Sequence, residues 1–304
     1  MGTTTTALRR QIGSASDLKA VVRTMKASAA AAIGPYEKSV AALADYARTV
    51  ERGLGVCLRA ADPHGAHADA GPTRPADIAV RAVVFGSDQG LVGRFNEVVV
   101  DHAMAQLGEG LAQAQVWAVG ERVRARLLDA GLPPVGSFPV PGSVELITRL
   151  VGQILLQLQV SDGAGDAEPQ AGPLMLFHNR PAGASYEPVS QRLLPLDAHW
   201  RRDLARRPWP AARSSTALPE VLGTGAQALR AFIREHLFVS LFRASAESLA
   251  SENASRLAAM QRADRNIGEL LSELNARFHR TRQSGIDEEL FDVIAGFDAM
   301  APIR

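Results

Sequence analysis

Between Pro219 and Pro302 the chain holds no proline, and from Glu220 to Phe297 its pattern is mostly helical. At a rise of 1.5 Å per residue, an unbroken helix of that span would be about 110–120 Å long, more than one globular domain can hold. Gly223 and Gly225 are placed to delay its start by a turn or two. Within it a heptad runs through Val239, Ala246, Ala250, Asn253, Leu257, Met260, Asp264, Ile267, Leu271, Leu274 and Phe278. After the first step of seven, the spacing alternates four and three, as in a left-handed coiled coil. The stretch ESLASENASRLAAMQRADRN, Glu247 to Asn266, carries few large apolar residues. Small residues of the heptad at Ala246, Ala250 and Asn253 are expected to let a partner helix approach closely.

That partner is expected in the first third of the chain. From Leu8 to about Leu58, apolar and small residues recur mostly three and four apart, helical periodicity sustained several times longer than in a typical helix. Gly34-Pro35 interrupts it, where proline removes one hydrogen bond and predicts a kink or two abutting helices. The stretch ADPHGAHADAGPTRPAD, 61–77, has the Pro/Gly/Asp density of a linker or mobile loop. Its Asp62, His64, His67 and Asp69 have no rigid element to fix them as metal ligands, which favours a solvated loop.

The middle third changes period. Strands are expected at 78–87 and at Gln115–Val119, with helices at 91–107 and 121–130, the latter stopped by Gly131-Leu132-Pro133-Pro134. A helix opens at Ser143 and runs to about Val160, a strand follows at 173–177, and another lies within 186–196. Strands alternating with helices imply a Rossmann-like α/β layer with a mainly parallel sheet. The boundaries that follow are a first helical arm over 1–60, a loop over 61–77, the α/β domain over 78–212 and a second arm over 213–304. The fold class is therefore α/β, with long N- and C-terminal helices in an antiparallel coiled coil and a globular body at one end.

Charge and chemistry narrow the function. A formal net charge of +1 in 304 residues argues against a polyanion binder, and the single cysteine, Cys57, excludes an internal disulfide. No run approaches the about 18 apolar residues of a spanning helix, so direct membrane insertion is not expected. WRRDLARRPWP, 200–210, is basic and flanked by aromatics. Phosphate contacts are one reading, but a solvated or partner-facing edge accounts for four arginines as well, and nucleic acid is not expected as a partner. There is no phosphate loop of the G-x-x-x-x-G-K-[ST] form, no G-x-S-x-G elbow, no H-E-x-x-H helix and no C-x-x-C pair. The turn GSDQGLVGRF, 86–95, has Gly86, Gly90 and Gly93, not the G-x-G-x-x-G order. A tight strand-to-helix turn explains it better than a dinucleotide site, and no cofactor is expected.

Three stretches carry a resemblance: RRQIGSASDLKAVVRTMKASAAA near the start, FGSDQGLVGRFN after the first strand, and ESLASENASRLAAMQRADRNIGELLSELNARFHRTRQSGIDEEL near the end. In that order and spacing the chain resembles the gamma subunits of F-type ATP synthases. The resemblance implies a central rotor shaft that is not an enzyme by itself. Paired helices would stand inside a hexamer of alpha and beta subunits, with the body resting with the epsilon subunit on the membrane c-ring, peripheral on the cytoplasmic face of the inner membrane. It would couple hydrogen-ion or other ion transport to ATP synthesis. Such a shaft must be slender and asymmetric, so that each catalytic subunit meets a different face in turn.

Carried over by position, Met25 falls on the methionine that faces an acidic loop of a catalytic subunit, and Arg256 and Gln283 on polar catches toward the beta subunit. Each also has a plainer reading: a helix-pairing contact for Met25, an exposed cation for Arg256, a solvated amide for Gln283. The first 44 residues hold six Lys and Arg against Asp17 and Glu37, a local +4 that suits an acidic loop. The chain departs from the family at Ala27-Ser28, at Val92 within the Gly90–Gly93 turn, at Leu218–Val221 before the last helix, and at Asp287, where a carboxylate replaces a hydroxyl. These departures suggest a divergent paralogue. The competing readings are a nucleotide-using α/β enzyme with helical arms and a non-rotary coiled-coil adaptor. The purified chain alone should neither bind ATP tightly nor hydrolyse it, as checked by equilibrium dialysis and phosphate release; turnover abolished by changing Gly90 or Gly93 would instead support the enzyme.

Overall fold

The computed structural model describes residues 4–61, 79–108, 113–158, 172–183, 185–209, 219–221 and 223–300. The linker expected beyond Ala61, including its His and Asp residues, lies outside them. In chain order the elements are α1 (Thr5–Ala61), β1 (Arg81–Phe85), α2 (Phe95–Leu107), β2 (Gln115–Val119), α3 (Glu121–Asp129), β3 (Gly136–Phe138), α4 (Val144–Gln157), β4 (Leu174–Ala182), β5 (Ser185–Leu194), α5 (Ala198–Arg206) and α6 (Gly225–Met300). The chain divides into two compact units. The smaller comprises residues up to Ala30 and from Arg256 onward, and the larger comprises Ala31–Ser255.

In the smaller unit α1 and α6 run antiparallel. Leu8 and Ala15 pack on Leu274, and further along α1 Val22 packs on Met260 and Ile267. The expected seam is present: Met260, Ile267 and Leu274 are buried, while Leu257, Asp264, Leu271 and Phe278 are half-buried. On α1 the buried residues Leu8, Ala15, Val22 and Ala29 fall seven apart. That spacing keeps one narrow stripe facing the neighbouring helix and leaves the rest to solvent.

The larger unit is built on a five-stranded sheet of order β3-β2-β1-β4-β5. The first four strands are parallel and β5 returns antiparallel to β4. Strand alternation sends Val83, Phe85, Trp117, Val119, Leu174 and Leu176 to one face, against α4 and α6. Ala82, Val84, Val116, Ala118 and Phe177 go to the other, against α2 and α3. The sheet edges are modest. β3 has three residues, and β5 carries Pro188 opposite Asn179.

Three expectations need correcting. α1 runs through Pro35 as one helix, so it is not two abutting helices. Ala31, whose carbonyl loses its donor there, and Pro35 are both exposed, so the unmade bond falls where water can serve it. The small residues of α6 also do more than admit a helix. Ala244 through Glu252 are buried without interruption, and Ala246, Leu249 and Ala250 share a core with Tyr36 of α1, with α4 and with the sheet. A helix enclosed on every side needs narrow side chains all round, which an amphipathic stripe does not supply. β3 and α5 were not anticipated, and α2 begins at Phe95, not at Leu91.

Ala246 is fully buried, so Ala246→Leu should overpack this core and cost about 1–3 kcal/mol. Ala276→Leu, on the exposed side of the smaller unit, should stay within about 0.5 kcal/mol. Urea denaturation of the two variants checks the contrast.

Candidate functional site

The carboxyl end of β1 is where a doubly wound sheet presents a ligand crevice. Here its polar groups are satisfied from within the chain. The Ser87 N–H donates to Asn96 Oδ1 (3.0 Å), Asn96 Nδ2 donates to Ser87 Oγ (2.9 Å), and Ser87 Oγ donates to the Gln89 carbonyl (2.9 Å). A Cβ on Gly86 would stand 2.3 Å from Val123 Cβ and 2.6 Å from Asn96 Oδ1, so only glycine fits. Asp88 accepts from the Glu121 N–H (2.9 Å) at the start of α3 and from the Val140 N–H (2.9 Å). A helix N-terminus that would attract a phosphate thus already faces the chain's own carboxylate. Gly93 has φ 61° and Leu91, though not glycine, has φ 64°. This pair throws Leu91 outward, 61% exposed, and Val92 inward, 1% exposed. Gly90, in contrast, has no positive φ, and a Cβ there would meet only the Arg122 guanidinium at an ordinary 3.7 Å.

Beyond the turn, α6 occupies neighbouring ground. The Ser255 hydroxyl donates to the Val92 carbonyl, and Tyr186 stands edge-on to Phe95 at 5.4 Å. Asn179 Nδ2 donates to the Phe95 carbonyl (2.9 Å). Deeper in the larger unit, Glu247 of α6 accepts from His178 of β4 (2.8 Å) and from Arg243 (2.7 Å). Burial pushes the Glu247 carboxyl up, but the hydrogen bonds from His178 and Arg243 outweigh it and hold the group below its ordinary value. An ionised Glu247 requires His178 Nε2 to be the donor. Sequence reasoning missed this network, because neither an isolated histidine nor a helix glutamate signals a partner 69 positions away.

Met25 is half-buried and packs against Val22, Met260 and Ile267, the helix-pairing contact of its plainer reading. Arg256 is half-buried. Gln283 and Asp287 are exposed and joined to each other, Gln283 Nε2 donating to Asp287 Oδ1 at 3.0 Å. The basic start of α1 is partly compensated. Lys26 reaches Asp264 at 2.8 Å and Arg23 lies 3.8 Å from the same carboxylate. The hydrogen bond from Lys26, with the nearby Arg23 and Lys19, keeps the Asp264 carboxyl below its ordinary value. Arg9 sits over the Phe278 ring at 5.5 Å. Among the described residues no cluster of His, Cys, Asp and Glu could hold a metal ion, and no helix is long and apolar enough to cross a membrane.

A family model described as ATP synthase matches residues 4–300. The chain is similar to the ATP synthase gamma chain of Paramagnetospirillum magneticum, 27% identical over 301 residues that cover 96% of this chain and 98% of the relative. The ATP synthase gamma chain of Moorella thermoacetica is also 27% identical, over 300 residues, with the same coverage of each. Among solved structures, a rotor chain of the Euglena gracilis mitochondrial ATP synthase aligns with TM-score 0.60 at 16% identity, over 93% of this chain and 98% of that one. At that identity the likeness speaks for the fold.

Glu247→Ala leaves His178 and Arg243 without their acceptor and should cost about 3 kcal/mol near neutral pH. Because the folded carboxyl titrates below its ordinary value of 4.5, its contribution is complete above that value and fades as pH falls through the lower folded value. The gap between wild type and variant in urea midpoints should therefore narrow below about pH 4.5 and stay constant from pH 6 to 7.

Proposed function

The chain belongs to the ATP synthase family, and from that premise we propose that it is the gamma subunit, the central rotor shaft of a rotary F-type complex. It couples ion flow through the membrane c-ring to ATP synthesis or hydrolysis on the surrounding alpha and beta subunits, with epsilon beside it at the base and the whole peripheral on the cytoplasmic face of the membrane. The observation that carries this reading is the helix pair of the smaller unit. It buries a single narrow stripe and leaves a mixed outer surface, largely charged and small residues with Leu18, Val21 and Leu270 exposed among them, which suits contacts that form and release in turn. Near its end α6 also exposes Ile286, Leu290, Phe291, Val293 and Ile294, each at least 47% accessible. Such a patch suits an enclosing sleeve of partner subunits. The internally satisfied turn at β1 supports the same reading, since it leaves the chemistry to partners.

Within this role Arg256 and Gln283 act as catches toward a catalytic subunit, with Met25 beside the acidic loop. Asp287 orients the Gln283 amide through their hydrogen bond, so the departure from a hydroxyl at that position gives the amide a fixed direction. Complex purified through a tag on this chain should contain alpha, beta and epsilon in fixed ratio. Arg256→Ala or Gln283→Ala should lower its ATPase rate about tenfold, the equivalent of one charged hydrogen bond, without changing that composition. Unchanged rates in both would remove the catch assignment.

A further inference from the structure

The basic segment singled out in the sequence is α5, and its setting indicates what it binds. α5 starts on Asp197, whose side chain accepts from the Trp200 N–H at 2.8 Å. Its apolar side is spent on the helices beneath: Leu204 is 2% exposed against Leu54 and Leu58, and the Trp200 ring lies tilted against that of His236 at 4.8 Å. The approach is close, because a Cβ on Gly55 would stand 2.7 Å from the Leu204 carbonyl oxygen. Arg59 of α1 clamps the end of α5, donating to the carbonyls of Ala205 (2.9 Å) and Arg207 (2.6 Å). What remains outward is cationic. Arg52, Arg59, Arg201, Arg202, Arg206 and Arg207 are all exposed. The acids among them are already engaged, Glu51 by Arg207 at 3.2 Å and Asp203 by His199 at 3.1 Å.

Resting on the rotor reading above, we propose that α5 and the adjoining end of α1 form a docking surface for a carboxylate-rich segment of another protein subunit of the assembly. Guanidinium forks match carboxylates two bonds at a time, and Arg207 on Glu51 shows that a carboxylate fits among them. A membrane surface is the poorer match. An interfacial helix needs a free apolar face to bury among the acyl chains, and α5 has used its own. Nucleic acid is disfavoured by a net charge of +1 over the chain.

The test uses the full chain in its assembled complex, with the photo-crosslinking residue p-benzoylphenylalanine in place of Arg202 or, separately, Arg206. Irradiation should yield a covalent product with a partner peptide dense in Asp and Glu. An Arg201→Glu/Arg202→Glu/Arg206→Glu variant should retain at least about tenfold less of that partner at moderate salt, whereas the corresponding lysine variant keeps it. Products with lipid, nucleic acid or a peptide poor in carboxylates would overturn the proposal. So would the absence of any product at both positions, or full retention by the glutamate variant. Alpha and beta subunits in the wild-type preparation separate the two failures. Their presence without an acidic product sinks the docking surface alone, and their absence sinks the rotor reading and the surface with it.

Discussion

The larger unit depends on nine consecutive residues of α6 that water does not reach. Ala244–Glu252 runs between a sheet face, α4 and a stretch of α1, and every position there must satisfy a neighbour. Helices pack at roughly 8–10 Å between axes, which sets how thick their side chains may be. Alanine and serine meet that limit. Of the two acids placed there, Glu247 and Glu252, Glu247 is tolerated because His178 and Arg243 supply its hydrogen bonds. Removing either donor would leave a buried anion short of partners, which is far costlier than the net worth of the pair.

The same economy is seen at the carboxyl end of β1, in a sheet of nucleotide-binding type. The strand order reverses between β1 and β4, where such sheets usually open to a ligand. Ser87, Asn96 and Asp88 spend their hydrogen bonds inside the turn, and Ser255 of α6 covers the Val92 carbonyl. The groups lining that end of the sheet are thus engaged by one another and by α6.

Periodicity made the long elements legible and left the short ones obscure. β2 was readable to the residue because Gln115–Val119 alternates between two apolar faces, and the α6 seam because seven-residue spacing survives even where Asp264 replaces an apolar side chain. β3 escaped because three residues after Pro133-Pro134 cannot show an alternation. α5 escaped because only Leu204 of its residues is buried, though Asp197 three positions before Trp200 was a cap signal. α2 was placed early because Leu91 gave no hint that it would adopt a left-handed backbone. Of the candidate site, the resemblance supplied the positions, and the structure added the Gln283–Asp287 bond and the Lys26–Asp264 pair. Neither partner in the second pair is visible from the other, as they lie 238 residues apart.

The borders of the sheet have a consequence for how this protein behaves before it finds its partners. A strand with unpaired N–H and C=O groups invites another copy to add on. On one border β3 offers three residues, too few to template a ladder. On the other, β5 loses an N–H at Pro188 and carries Glu187 and Arg192 outward. A newly made chain can therefore wait, partnerless, without its sheets growing into one another.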